Sequence, residues 1–431
     1  MKIQRVRAME ILDSRGSPTV QCEVLLSTGV RATAQVPSGA STGRHEALEL
    51  RDADPGRYAG KGVLLAVRQI DRLLGPAVVG MDALEQPAID QRLVEQNGQP
   101  GRVDARTNDH AKLGANATLA VSCAVARSAA IGAGLPLWRY LAGDRKPIVP
   151  VPMVNIISGG LHAGRNIEFQ DFLVIPRGYP DLASSLEAVT LVHRTVRALL
   201  KRRGCVLTGV ADEGGWGPQL DSNEEATSVL RQAITESGAV MDIALDVAAS
   251  HFSGAAAGIP SYRMEGRSLT SEGMADLLSG WIDRYGIASI EDPLAEDDWD
   301  GWKLITKQLG SRVKLVGDDL FVTNIERLNR GLREGVANSV LVKMNQIGTL
   351  TQTFAVVDRA REAGYGAVIS ARSGETEDPF LADLAVASGA GQIKIGSITR
   401  SERLAKYNRL LEIEKWEMGT GSGDSLFKNN R

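Results

Sequence analysis

The chain has 431 residues, 43% of them hydrophobic, and a formal net charge of -3. Two domains, one of them large, are the natural expectation at this length, with ample apolar material for a core. The slight acidity and the lack of a long basic block argue against a nucleic-acid footprint, and no apolar stretch is long enough to cross a bilayer.

The N-terminus, Met1-Lys2-Ile3-Gln4-Arg5, has no signal-peptide core. Val20, Cys22, Val24 and Leu26 alternate with Thr19, Gln21, Glu23 and Leu25, the period of a half-buried strand. Ser27-Thr28-Gly29 reads as a turn, and a returning strand is expected over 30–36. A loop of small residues follows, Pro37-Ser38-Gly39-Ala40-Ser41-Thr42-Gly43. From Lys61, Val63, Leu64, Val67, Ile70, Leu73 and Leu74 recur at helical spacing, and Gly75-Pro76 is expected to stop that helix. A second long helix is expected from about Asn116 into the alanines near Ala130. This part is α+β, with strands first and helices after.

Beyond about Lys146 the character changes. Short apolar runs at 149–157 and 172–175 are followed, after Ala211-Asp212-Glu213, by alternating runs and helical segments up to Leu411. Helices are expected over 224–237, 271–285, 323–334 and 349–363. The alternation implies parallel strands with crossover helices, and the number of units suggests a closed barrel. The segment Gly419-Thr420-Gly421-Ser422-Gly423 has the composition of a flexible tail.

Several of these runs end in a charge. Ile243-Ala244-Leu245 ends in Asp246, Ile287 to Ile290 in Glu291, Val313 to Gly317 in Asp318, and Val340-Leu341-Val342 in Lys343; Gln392-Ile393 leads into Lys394. In a barrel of parallel strands these ends meet on one face. An acid after a strand often only caps the next helix, and a lysine is most often solvated. Three successive acids interrupting buried runs are costly without a cation, so together they point to a metal cage. With only five histidines, His45, His110, His162, His193 and His251, oxygen ligands and magnesium are favoured. Cys22, Cys123 and Cys205 offer neither a zinc spacing nor a disulfide framework, and a reducing cytoplasm fits them. A lysine near a metal and a second cation has its pKa pushed down, as a general base needs, which suits Lys343. Lys394 is then the neighbouring cation or a clamp on a substrate carboxylate. Glu213 is either a capping acid in a turn or a general acid across the site. Arg372 and Ser373 have the form of an anion clamp. His162 lies in a glycine-rich loop that is either solvated or brought close to a ligand.

These motifs resemble the enolase family over nearly the whole chain. Asp13-Ser14-Arg15-Gly16-Ser17-Pro18-Thr19 looks like its N-terminal signature, and residues 36–43 like its mobile catalytic loop. Ile290-Glu291-Asp292-Pro293-Leu294 and Lys343-Met344-Asn345-Gln346-Ile347-Gly348-Thr349 are similar to its barrel-strand motifs, and residues 400–408 to its final barrel helix. The resemblance implies an α/β fold. A smaller α+β capping domain over 1–140 would carry the mobile loop, and an enolase-type modified TIM barrel over 141–431 would carry the active site. It also implies a lyase using two Mg2+ ions per site, one structural and one arriving with substrate. Asp246, Glu291 and Asp318 match the ligands of the first, and Ser41 a ligand of the second. Lys343 matches the base and Glu213 the acid, with Asp171 as partner of that acid. His162, Arg372, Ser373 and Lys394 match positions around a phosphorylated three-carbon acid. Dimers, or octamers built from them, are implied as well.

The departures gather near the site. Ala371 stands where the family has histidine, Asp171 where it has glutamate, Ser158 where it has asparagine, and Arg165 where it normally has asparagine. The metal acids and the base are kept, while the side handling the leaving hydroxyl and phosphate is altered. That pattern resembles an enolase-like branch, the carboxyphosphonoenolpyruvate synthases of phosphonate natural-product pathways. These join phosphonoformate to an enolpyruvate unit derived from 2-phosphoglycerate. Arg165 would then be an added substrate contact. The alternatives are an ordinary phosphopyruvate hydratase and a non-catalytic ligand-binding homologue.

Overall fold

Alternation near the N-terminus builds a meander of three antiparallel strands, β1 (Ile3–Leu12), β2 (Pro18–Leu26) and β3 (Arg31–Gln35). Val20, Cys22, Val24 and Leu26 are fully buried on one face, as their period requires. The structure is a computed structural model that describes residues 1–39, 43–96, 113–256 and 259–418. The helix Ala115–Gly132 covers the buried face of this sheet, with small side chains over most of its circumference to allow close approach.

Gly75-Pro76 does not stop the earlier helix. Leu64–Gln69 runs through a π-helical turn, Ile70–Leu74, into Gly75–Val78. A π turn already breaks the i→i+4 ladder, so the N–H that Pro76 lacks is not missed there. Gly75 is helical (φ -59) and packs so closely that an added Cβ would sit 3.1 Å from that of Val6.

The eight remaining long-range strands close into a barrel. In chain order they are β4 (Val151–Ser158), β5 (Asp171–Pro176), β6 (Met241–Asp246), β10 (Ile287–Glu291), β11 (Lys314–Gly317), β12 (Ser339–Val342), β13 (Gly366–Ser370) and β14 (Gly391–Gly396). Between β6 and β10 the chain inserts a small antiparallel sheet, β7 (Ser253–Ala256), β8 (Ile259–Met264) and β9 (Arg267–Leu269), for which the sequence had given no signal. The barrel is not wholly parallel: β5 runs antiparallel to both β4 and β6. A loop rather than a crossover helix joins β4 to β5, so β5 must return in the opposite sense.

The N-terminal sheet and its helices sit over the barrel mouth. Backbone bonds tie Ser38 to Gly374 in both directions and Ser14 to Glu375. Arg127 adds a bidentate ion pair to Asp378, with separations of 2.5 and 3.0 Å. No helix among the described residues is long and apolar enough to cross a membrane.

Candidate active site

Side chains alternate in and out along a strand, and this fixes the site. The barrel interior is plugged by an apolar layer that includes Leu173, Ala244, Val316 and Leu341. Two residues along the same strands, toward the mouth, stand Asp171, Asp246, Asp318 and Lys343. They are the next inward layer, and all but Lys343, which is half-buried, are buried. Register aligns Asp171 with Asp246 and Asp246 with Glu291, so three acids lie side by side on adjacent strands. Because β5 is antiparallel, its first residue rather than its last reaches the mouth.

Lysines neutralise this rim. The Lys394 ammonium donates to Asp246 Oδ2 and Glu291 Oε2, both at 2.7 Å, and the Lys343 ammonium donates to Asp318. Gln170 Nε2 donates to Asp246 Oδ2 at 3.1 Å, and Gln346 Nε2 to Asp318 Oδ1 at 3.2 Å. Burial, with Asp246 beside it, pushes the Glu291 carboxyl well above the usual range. Burial pulls the Lys343 ammonium down, but the surrounding carboxylates, Asp318 foremost and Glu291 with it, raise it and the net direction is upward. Arg372 and Lys394 act on Lys343 in the downward direction expected from sequence, and the touching carboxylate, which that expectation assigns to a metal, acts against them.

The opposite wall is a buried chain of groups. His162 Nδ1 lies 3.0 Å from Asp171 Oδ2, and its Nε2 lies 3.8 Å from Glu213 Oε1. Asp171 Oδ1 also accepts from Ser158 Oγ at 3.2 Å and from Asn155 Nδ2. Burial lowers the His162 pKa, yet Asp171 and Glu213 raise it further, to about 9. Burial also pushes the Asp171 carboxyl upward. Asp171 meets Glu213 through the imidazole.

The clamp is built across the domains. Arg372 is buried, with Nη1 donating to Glu46 Oε2 at 3.1 Å and to Asn345 Oδ1 at 2.8 Å. Ser373 Oγ accepts from Arg15 Nη1 at 3.2 Å. His162, Gln170, Glu213, Asp246, Lys343, Ala371, Arg372, Ser373 and Lys394 all line one small cavity, partly open to solvent.

One expected residue stands apart. Arg165 is exposed and absent from that wall; its φ of 61° is a left-handed conformation that asparagine adopts more readily than arginine. Ser41 lies outside the described residues. Gln170, Glu46 and Asn345 had not been singled out as site residues. Gln170 had one available signal, its place directly before Asp171 at the start of a strand.

The donor chemistry fits a hard divalent cation. Two carboxylate oxygens already converge on a single cationic atom, Lys394 Nζ, and Asp318 stands at the end of β11, the strand beside β10. Asp246, Glu291 and Asp318 are not drawn into a tight three-donor group, however. Such groups, with donor atoms within 4.8 Å of one another, are formed by Asp292, Asp318 and Asp319 and by His162, Asp171 and Glu213.

An eight-stranded barrel whose mouth carries buried acids and lysines, capped by an α+β domain, defines the enolase type of α/β-barrel protein. Comparison with family models agrees: residues 3–141 match the enolase N-terminal domain and residues 146–424 the enolase C-terminal TIM barrel domain. The chain belongs to the enolase family, whose members use Mg2+.

Proposed function

We propose that this chain is a Mg2+-dependent enzyme that abstracts the α-proton of 2-phosphoglycerate, or a close analogue, and forms an enolpyruvate product. We further propose that it is specialised for a second acid such as phosphonoformate. The observation that carries the reading is that Lys343 and Glu213 line the same cavity while Ala371 lines it too. Asp246, Glu291 and Asp318 would hold the metal, which supplies positive charge against the doubly negative carboxylate left by deprotonation.

The protein's own groups do the rest. Lys343 Nζ, made neutral when Asp318 turns from it to hold the metal, would receive the proton from C2. Arg372 and Ser373 face the phosphate, and Lys394 supplies a further cation to the carboxylate. Burial raises the Glu213 carboxyl, but His162 and the nearby cations hold it below its ordinary value, so the proton given to the leaving hydroxyl at C3 comes from protonated His162 through Glu213. Ala371 brings no proton-handling group to this wall and leaves room beside it. Deprotonation at C2 is thus fully equipped, while loss of the hydroxyl is less so.

Phosphorus NMR of 2-phosphoglycerate with Mg2+, with and without phosphonoformate, tests the specialisation. The expected result is slow phosphoenolpyruvate formation alone and loss of the phosphonoformate resonance when both are present. Brisk phosphoenolpyruvate formation with phosphonoformate untouched would favour the ordinary hydratase instead.

A further inference from the structure

One buried cation is not used by this chemistry. Arg403, on the helix Ser401–Glu412, has a fully buried side chain. Its Nη1 donates to Arg372 O at 2.7 Å and to Ile395 O at 2.9 Å, and its Nη2 to Ser373 O at 2.6 Å. Its Nε faces Glu402 Oε1 at 3.5 Å. One guanidinium thus holds the backbone of both clamp residues and of the residue after Lys394. Gly396 makes the reach possible: its φ is 113°, and an added Cβ would lie 3.0 Å from Arg403 Cδ and 3.0 Å from Glu213 O. Next to it, Ser397 N donates to Glu213 O at 2.8 Å, so the same strand end also carries the acid loop.

A buried guanidinium is costly unless its planar donors are matched; carbonyls from two segments take both Nη groups here, while Nε makes no hydrogen bond. A purely structural arginine could meet any carbonyls. These belong to the residues proposed to grip phosphate and to the neighbour of the lysine proposed to meet the carboxylate. We infer that Arg403 is a positioning residue: it fixes the spacing between the phosphate clamp and Lys394, and so the placement of C2 against Lys343. The inference rests on the reading of the site given above. The relevant magnitude is geometric, since a displacement of about 1 Å costs on the order of 100-fold in rate.

The test compares R403Q and R403K with R409Q. Arg409 lies on the same helix but pairs with Asp383 and Glu417, away from the cavity. R409Q therefore reports loss of stability alone. All are assayed for hydrogen exchange at C2 of 2-phosphoglycerate with Mg2+, at temperatures where circular dichroism shows them folded. R403Q is expected to lose on the order of 100-fold in kcat/KM, with KM raised, while R409Q keeps wild-type kinetics. R403K, which keeps the charge but not the fork, is expected to recover little, and it carries the test should R403Q not fold. Wild-type kinetics in folded R403Q, or equal losses in R403Q and R409Q, overturns the inference. If the wild-type protein itself shows no exchange, the proposed function fails first. The crystal structure of R403Q then decides: unchanged spacing of Arg372, Ser373 and Lys394 overturns the positioning role, and a shift of the clamp supports it.

Discussion

Ala371 lines the cavity beside Arg372 and His162, at a position where an imidazole would add a proton-handling group. Restoring one by Ala371→His should raise phosphoenolpyruvate formation from 2-phosphoglycerate by about tenfold or more, since one placed acid–base group typically contributes 10²–10⁴-fold. A steady-state assay of the product checks this, and no gain counts against specialisation at this wall. At this scale the sequence was most legible where a charge broke an apolar run. Asp246, Asp318 and Lys343 each follow an inward apolar residue by two positions, so strand period alone places them on the rim. For Arg165, departure from a family pattern signals a change without saying where the side chain goes. The Glu46–Arg372 pair had no sequence signal, because its members lie far apart in the chain and meet only when the domains pack.

The strut between the helix Ala115–Gly132 and the loop after β13 belongs to the scale of elements. Asp378 is held by Arg127 and accepts from the backbone N–H of Gln35 and Phe380. Burial pushes its carboxyl up, but Arg127 and these donors pull it down further, to a net value below the ordinary range. A group lowered in the folded state stabilises the protein above its unfolded pKa of about 3.9, and that contribution is lost as pH falls through the folded value. Asp378→Asn leaves Arg127 without its counter-charge and should cost about 3 kcal/mol at neutral pH, read from urea denaturation. The gap between variant and wild type should narrow below about pH 4; a gap that widens there contradicts the pairing. The helices over 224–237, 271–285, 323–334 and 349–363 and most barrel strands were legible from their periods. The reversed β5 was not, because an apolar run looks the same in either direction. The continued helix at Gly75-Pro76 was hidden because a π turn leaves no local signature.

Over the whole molecule, binding of a cation at the mouth should appear as stability. Saturating Mg2+ should raise the thermal midpoint, by the equivalent of about 2.7 kcal/mol at a hundredfold excess over Kd, and a chelator should reverse it. Asp246→Asn should abolish the response; a shift that survives this change places the ion elsewhere. The barrel and its cap were legible because long motifs recur in order, whereas the inserted sheet over 253–269 breaks that order and was not. The most direct measurement is proton NMR of 2-phosphoglycerate in deuterated water with Mg2+. The C2 proton signal should disappear with the wild-type protein, and on the order of 10²–10⁴-fold more slowly with Lys343→Met. A C2 signal that persists with wild-type protein, or vanishes equally fast with the variant, contradicts a lysine base at the barrel mouth.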